Sequence, residues 1–170
     1  MTTATTASSA DSAVMKTYGR ADLAFVRGEG SWLVTEDGTR YLDCASGIAV
    51  NTLGHSHPAL VAALKAQADQ LWHTSNLYRI PGQERVAKKL AALTGLDQVY
   101  FCNSGAEANE AAVKIARRAA FEKGEPERTT ILCATGSFHG RTLGMLAATD
   151  KQSNRCLLYT SDAADETGRG

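Results

Sequence analysis

The sequence predicts an α/β fold. Between Gln98 and Cys133 a short apolar run, a Gly-bearing turn, a long Gly- and Pro-free helical stretch and a second apolar run follow one another. Nearer the N-terminus an Asp-Gly pair joins β-prone segments, and two amphipathic helical patterns lie between these regions. Strand, helix and strand at these lengths make a βαβ crossover, which implies parallel strands. The Asp-Gly pair implies a separate antiparallel hairpin.

Residues 1–13 are almost all Thr, Ala or Ser. They have neither the basic start nor the apolar stretch of a secretory signal, and are expected to be a flexible N-terminal extension. Order is expected from Val14. Ala24 to Arg27, Ser31 to Thr35 and Arg40 to Asp43 are three strand candidates, with Trp32, Val34, Tyr41 and Leu42 as their β-prone residues. Glu36-Asp37-Gly38-Thr39 turns the chain between the last two. Pro58 suits a first helical position, and Leu60, Val61, Leu64, Ala68 and Leu71 then share one helical face. A second helix is expected from Gly82 to Leu93, with Val86, Leu90 and Leu93 as its stripe and Gly95 as its stop.

Gln98 to Cys102 reads as a buried strand, Asn103-Ser104-Gly105 as a turn, and Ala106 to Lys123 as a helix. Glu107 and Glu110 near its start, and Lys114, Arg117, Arg118 and Lys123 toward its end, complement the helix dipole. Gly124 and Pro126 end it, Thr129 to Cys133 is the next buried strand, and Gly136 to Thr142 is a loop before a helix at Leu143 to Ala148.

Lys plus Arg and Asp plus Glu each number 18 in 170 residues, so the formal net charge is zero, without the basic excess that phosphate neutralisation by a nucleic-acid protein needs. Hydrophobic residues are 44 % and charged residues 21 %, as in globular domains rather than disordered chains. Apolar stretches all break short of the run of about 20 residues that a membrane helix needs. Cys44, Cys102, Cys133 and Cys156 form no C-x-x-C pair. Free thiols in a reducing cytoplasm are the simplest reading, with the first three expected to be small buried hydrophobes.

Two segments have the residue types for chemistry. Ser104-Gly105-Ala106 lies where an apolar strand meets a helix. The first N–H groups of a helix lack intrahelical partners, Gly admits a close ligand, and a Ser hydroxyl adds a donor, which together suit a phosphate monoester. On local pattern alone a plain Ser cap with a tight Gly turn is the better reading. Neither a Walker A loop nor the G-x-G-x-x-G fingerprint is present. Ser137-Phe138-His139-Gly140-Arg141-Thr142 offers an aromatic face and a guanidinium, suited to a planar ring and a carboxylate. Alone, it reads better as a surface loop with a solvated Arg and a tucked Phe. His55-Ser56-His57-Pro58 reads as the turn that leads into a helix rather than a zinc site, and Gly136 to Gly140 does not fit G-x-S-x-G.

Taken together, Val14 to Thr149 resembles the N-terminal part of a class III pyridoxal-phosphate aminotransferase of fold type I, and within that class the acetylornithine-using members. The resemblance rests on Tyr18 to Phe25, Ala45 to Asn51, Ser75 to Glu84, Asn103 to Ala108 and Ser137 to Thr142, in this order. It implies a small antiparallel N-terminal patch plus an incomplete, mainly parallel-sheet large domain. The expected boundaries are 14–53 for the N-terminal segment, 54–153 for the partial cofactor-binding domain and 154–170 for a non-native tail. That tail, with Cys156 to Glu166, resembles translated adapter read-through.

The resemblance also implies roles. Ser104, Gly105 and Ala106 match the segment that holds the phosphate of pyridoxal 5'-phosphate, Phe138 the aromatic that stacks on its ring, and Arg141 the arginine that takes the substrate carboxylate. No metal is implied. Gly47 and His139 stand where ornithine-using relatives tend to carry bulkier aromatics. The Schiff-base lysine and the aspartate that pairs with the ring nitrogen fall beyond this chain, so no catalytic residue maps here and the chain by itself is expected to be inactive. Amino-acid and 2-oxo-acid substrates, a homodimer, a place in arginine biosynthesis in the cytoplasm, and no nucleic-acid or membrane partner complete the expectation. The alternatives are another class III aminotransferase, using succinylornithine, succinyl-diaminopimelate, ornithine or 4-aminobutyrate, or a non-catalytic phosphate-binding or dimerisation module.

Overall fold

The β-prone segments near the N-terminus pair as their turn chemistry requires. In the computed structural model, which describes residues 13–15 and 17–150, strands β1 (Phe25–Glu29), β2 (Trp32–Thr35) and β3 (Arg40–Leu42) form one antiparallel sheet in the order β1-β2-β3. Gly38 takes φ +87° in the β2–β3 turn, a conformation that costs glycine little. The Asp37 carboxylate braces that turn by accepting from the Thr35 hydroxyl and the Thr39 N–H. Cross-strand pairing puts Trp32 opposite Leu42 and Val34 opposite Arg40. The Arg40 guanidinium covers the Trp32 ring at 4.5 Å, and Phe25 meets Tyr41 edge to face. The N-terminal extension and the tail from Asn154 fall outside the described residues, save for Ala13.

The described chain divides into two units between Arg79 and Ile80. The first contains the sheet, α1 (Ser46–Ala49) and α2 (Pro58–Ala68). Ser46, Gly47, Ile48 and Ala49 all have positive φ, so α1 is a single left-handed turn. L-residues pay about 1–2 kcal/mol each for that hand. The Asp43 carboxylate holds its start by accepting from the N–H groups of Ala45 and Ser46. Pro58 opens α2 as expected. The expected stripe on that helix is little covered: Leu60, Leu64 and Ala68 stand exposed and Val61 is half-buried, while Leu71, also exposed, lies past the end of the helix.

The second unit contains α3 (Pro81–Thr94), α4 (Gly105–Glu122) and α5 (Leu143–Ala148). Gly95 ends α3 in the left-handed conformation, its N–H donating to the Ala91 carbonyl. The segments expected as parallel strands, Gln98 to Cys102 and Thr129 to Cys133, join no sheet among the described residues. A strand exists by its ladder, and neither segment has a neighbour to bond to. Thr129 to Cys133 nonetheless keeps a strand's alternation. Ile131 and Cys133 are half-buried and line a groove with α4 and α5, while Leu132 between them is 93 % exposed. That is one face of a strand covered by helices and the other left bare, whereas parallel sheets bury both. Cys44 and Cys102 are exposed rather than buried, for the same lack of covering elements, and Cys133 is intermediate.

Candidate functional site

The residues implied to bind cofactor and substrate all lie in the second unit, on the N-terminus of α4 and the loop from Gly136 to Thr142. Ser104 is the N-cap of α4, in extended conformation. Its Oγ accepts from the Glu107 N–H at 3.2 Å, and the Glu107 carboxylate reaches back to the Asn103 N–H at 2.7 Å. The sequence is the S-x-x-E pattern that starts helices, with the carboxylate reaching the N–H one residue before the cap rather than that of Ser104 itself. It turns the Glu107 carboxylate back onto Asn103. The N–H groups of Gly105 and Ala106 belong to the first turn, which has no intrahelical acceptors, and carry the positive end of the helix dipole. A Cβ built on Gly105 would meet nothing within 4 Å, so the space on the side-chain side of Gly105 is open.

The loop is pressed onto the same turn. Gly140 takes φ +135°, and a Cβ there would lie 2.6 Å from the Ala106 Cβ. A small residue on the helix and none on the loop let the two backbones approach. Asn109 Nδ2 donates to the His139 carbonyl at 2.8 Å, and the Thr142 hydroxyl donates to the Glu110 carboxylate. Thr142 also caps α5, accepting from the Met145 N–H. Met145, 3 % exposed, is the apolar anchor beneath the loop. Burying such a side chain contributes about 1.5–3 kcal/mol.

Phe138 and Arg141 project from this pinned loop. Phe138 is 55 % exposed, and the Arg141 guanidinium lies 5.4 Å from the centroid of its ring. The His139 ring nitrogen Nε2 is buried with no hydrogen-bond partner among the described residues.

The structure therefore brings Ser104, Gly105, Ala106, Phe138 and Arg141 to one helix end and one loop. A profile of the family "Aminotransferase class-III" matches residues 14–163. The chain belongs to the class III aminotransferase family.

Its relatives agree. The chain is 61 % identical over 137 residues to an acetylornithine aminotransferase of Mesorhizobium japonicum, and 62 % identical over 135 residues to one of Rhodobacter capsulatus. These matches cover 81 % and 79 % of this chain but 34 % of each relative, so the chain spans about a third of their length. Among solved structures, the N-acetylornithine aminotransferase of Stenotrophomonas maltophilia matches with a TM-score of 0.67 and 41 % identity, over 71 % of this chain and 34 % of that one. The ornithine aminotransferase of Toxoplasma gondii matches with a TM-score of 0.79 and 28 % identity, over 84 % and 34 %. The fold is thus that of the class III aminotransferases, and the described residues form part of it. The family match runs to residue 163, into the segment that the sequence sets apart from Asn154.

The first unit holds a second polar cluster. His55 Nε2 pairs with the Asp43 carboxylate at 2.7 Å. The His55 hydrogen bond, followed by that from the Ser46 N–H, holds the Asp43 carboxyl below its ordinary value of 3.8. Gly30 and His55 exchange backbone hydrogen bonds of 3.0 and 2.7 Å. His55 to Pro58 is thus the turn leading into α2, tied to the sheet edge. Among the described residues no three His, Cys, Asp or Glu side chains group as metal ligands, and no helix is long and apolar enough to cross a membrane.

Sequence reasoning missed Asn109 and Thr149 altogether, and read Glu110 only as a dipole-complementing charge. Nothing local marks these residues, since each acts on a loop elsewhere in the chain. The Gly of the loop and the Ala of the helix turn were visible, but not that they touch.

Proposed function

We propose that this chain is the phosphate-cradling and carboxylate-binding part of a pyridoxal-phosphate-dependent aminotransferase that exchanges the δ-amino group of N2-acetylornithine with 2-oxoglutarate. The contact of Gly140 with Ala106 carries the reading, because it sets an anion-suited helix end beside a loop bearing an aromatic ring and a guanidinium. Relatives named acetylornithine aminotransferase at 51–62 % identity support the substrate.

The residues fit the cofactor. The Gly105 and Ala106 N–H groups and the Ser104 hydroxyl would hold its phosphate, with open space on the side-chain side of Gly105 and the helix dipole favouring the anion. The exposed Phe138 face would stack on its ring. When bound, the cofactor supplies the electron-accepting ring on which amino groups are exchanged. Arg141 would pair its guanidinium with the carboxylate of the amino or oxo acid, bidentately, and so fix the end remote from the reacting group. The stacking of Arg141 near Phe138 keeps the guanidinium on the ring side of the loop. Thr142, Glu110 and Asn109 keep that loop on α4.

The test is Arg141→Ala in a full-length enzyme carrying this segment. KM for N2-acetylornithine should rise at least tenfold, about 1.4 kcal/mol, while the cofactor Kd stays within about twofold. A fall in cofactor affinity with KM unchanged would show that Arg141 serves the phosphate. Comparing kcat/KM for N2-acetylornithine, ornithine and 4-aminobutyrate tests the substrate. A preference for either of the latter two would assign the chain to another branch.

A further inference from the structure

We propose that Thr149 is a positioning residue for the carboxylate-binding arginine, acting through the peptide of His139; the inference rests on the role given to Arg141 above. Thr149 closes α5 and is fully buried, with 0 % exposure. Its Oγ1 stands where three backbone groups meet. It accepts from the His139 N–H at 2.9 Å, and lies 2.8 Å from the Met145 carbonyl and 3.3 Å from that of Gly140, to which it can donate. A hydroxyl has one proton and two lone pairs, so one group serves the helix end and the loop at once.

The bond to Met145 reaches four residues back from the C-cap position and ties Thr149 to the end of α5. The bond to His139, ten residues back, is not required by any helix end. It completes a clamp. The His139 N–H is held by Thr149 and its C=O by Asn109 Nδ2 at 2.8 Å. A residue bonded at both polar groups cannot rotate without breaking one of them, and an unpaired buried N–H is costly. Phe138 precedes this clamped residue and Arg141 follows it after Gly140, a glycine at φ +135° that transmits any rotation freely unless its neighbours are fixed. The clamp therefore sets the direction in which Arg141 leaves the loop. The phosphate cradle stands on the N-terminus of α4, which its own cap closes, so it does not depend on the clamp.

The variants are Thr149→Val, which keeps the shape and removes the hydroxyl, Thr149→Ser, which restores it, and Asn109→Ala, which releases the other end of the clamp. They are made in the full-length enzyme carrying this segment, with Arg141→Ala as reference. Thr149→Val should raise KM for both N2-acetylornithine and 2-oxoglutarate about tenfold, since a small misplacement of a positioning group has such effects, while the cofactor Kd rises by no more than about threefold, because Phe138 shifts with the loop but the phosphate cradle on α4 stays in place. Amide exchange at His139 in the cofactor-free protein should speed up in the same variant. Thr149→Ser should return both readings toward wild type. Wild-type KM in Thr149→Val, a parallel rise in KM and cofactor Kd, or no rescue by Ser would overturn the inference. If Thr149→Val does not fold, Asn109→Ala decides by the same split. If Arg141→Ala leaves KM unchanged, the role of Arg141 is wrong and the inference falls with it. If Arg141→Ala raises KM and the clamp variants do not, only the clamp is wrong.

Discussion

Replacing Gly140 by Ala tests the contact on which the site depends. The added Cβ would lie 2.6 Å from the Ala106 Cβ, 3.0 Å from its Cα and 3.1 Å from the Met145 Cβ. Two of these atoms belong to or adjoin the backbone of α4, and the third to a buried side chain, so none can swing away. Overpacking of this kind costs about 1–3 kcal/mol, and a non-glycine residue at φ +135° adds strain of similar size, about 1–3 kcal/mol. The loop can relieve both only by withdrawing from Ala106. Restoring ordinary carbon–carbon contact needs a shift of about 1 Å, and Phe138 and Arg141 would move with it. A displacement of that size in a positioning group can lower kcat/KM on the order of a hundredfold. The assay is steady-state kinetics with N2-acetylornithine and thermal unfolding, both in the full-length enzyme. Gly82→Ala is the control, because a Cβ there meets only the far end of the Arg85 side chain at 3.8 Å, and it should leave both readings near wild type. A Gly140→Ala enzyme that melts with wild type and keeps kcat/KM within about twofold would refute the close packing of loop on helix.

Ser104→Ala should cost about 1 kcal/mol through loss of the α4 cap, and should also weaken cofactor binding; equilibrium titration with pyridoxal phosphate checks the second effect, and unchanged affinity would remove Ser104 from the cradle. The Asp43 carboxyl has a depressed folded-state pKa, so its contribution to stability is fully present above its unfolded value and drains as pH falls through the lower folded value. The denaturation midpoint of wild type over Asp43→Asn should therefore shrink on acidification below about pH 4, and a gap that stays constant there would count against the His55 pairing. The 170-residue chain by itself exposes Leu132, Leu77, Trp72 and Ile48 at 85 % or more, so it should bind hydrophobic dyes and self-associate; a monomer with a sharp cooperative melt would contradict this. That chain alone should also turn over no N2-acetylornithine, since the lysine implied by the family resemblance lies outside it.

The elements with local signals were legible. Asp37-Gly38 marks the hairpin, Pro58 the start of α2, Gly95 the stop of α3, and Ser104 with Glu107 the cap of α4, because each works through bonds within a few residues of itself. The strand readings at Gln98 to Cys102 and Thr129 to Cys133 found no pairing among the described residues, and of the two the second keeps a strand's alternation of covered and bare side chains. Apolar alternation encodes which face a strand buries, not whether a neighbour is there to bond with. The same gap explains Cys44 and Cys102, whose composition suggests burial while their surroundings leave them exposed. The left-handed turn at Ser46–Ala49 had no signal beyond one Gly, since it is held by the Asp43 carboxylate rather than by propensity.

The sequence by itself determined the family, the hairpin, the helices α2 to α5 and the residue types of the candidate site. Periodicity, caps and ordered motifs are written in neighbouring residues. Tertiary structure alone decided what holds the site together. Asn109 reaches the His139 carbonyl across 30 residues of chain, Thr149 reaches the His139 N–H from the far end of α5, and Gly140 meets Ala106 at a distance no side chain would tolerate. None of these partners can be inferred from spacing, because each depends on where folding brings a distant segment, and their hydrogen bonds form only once that backbone has arrived.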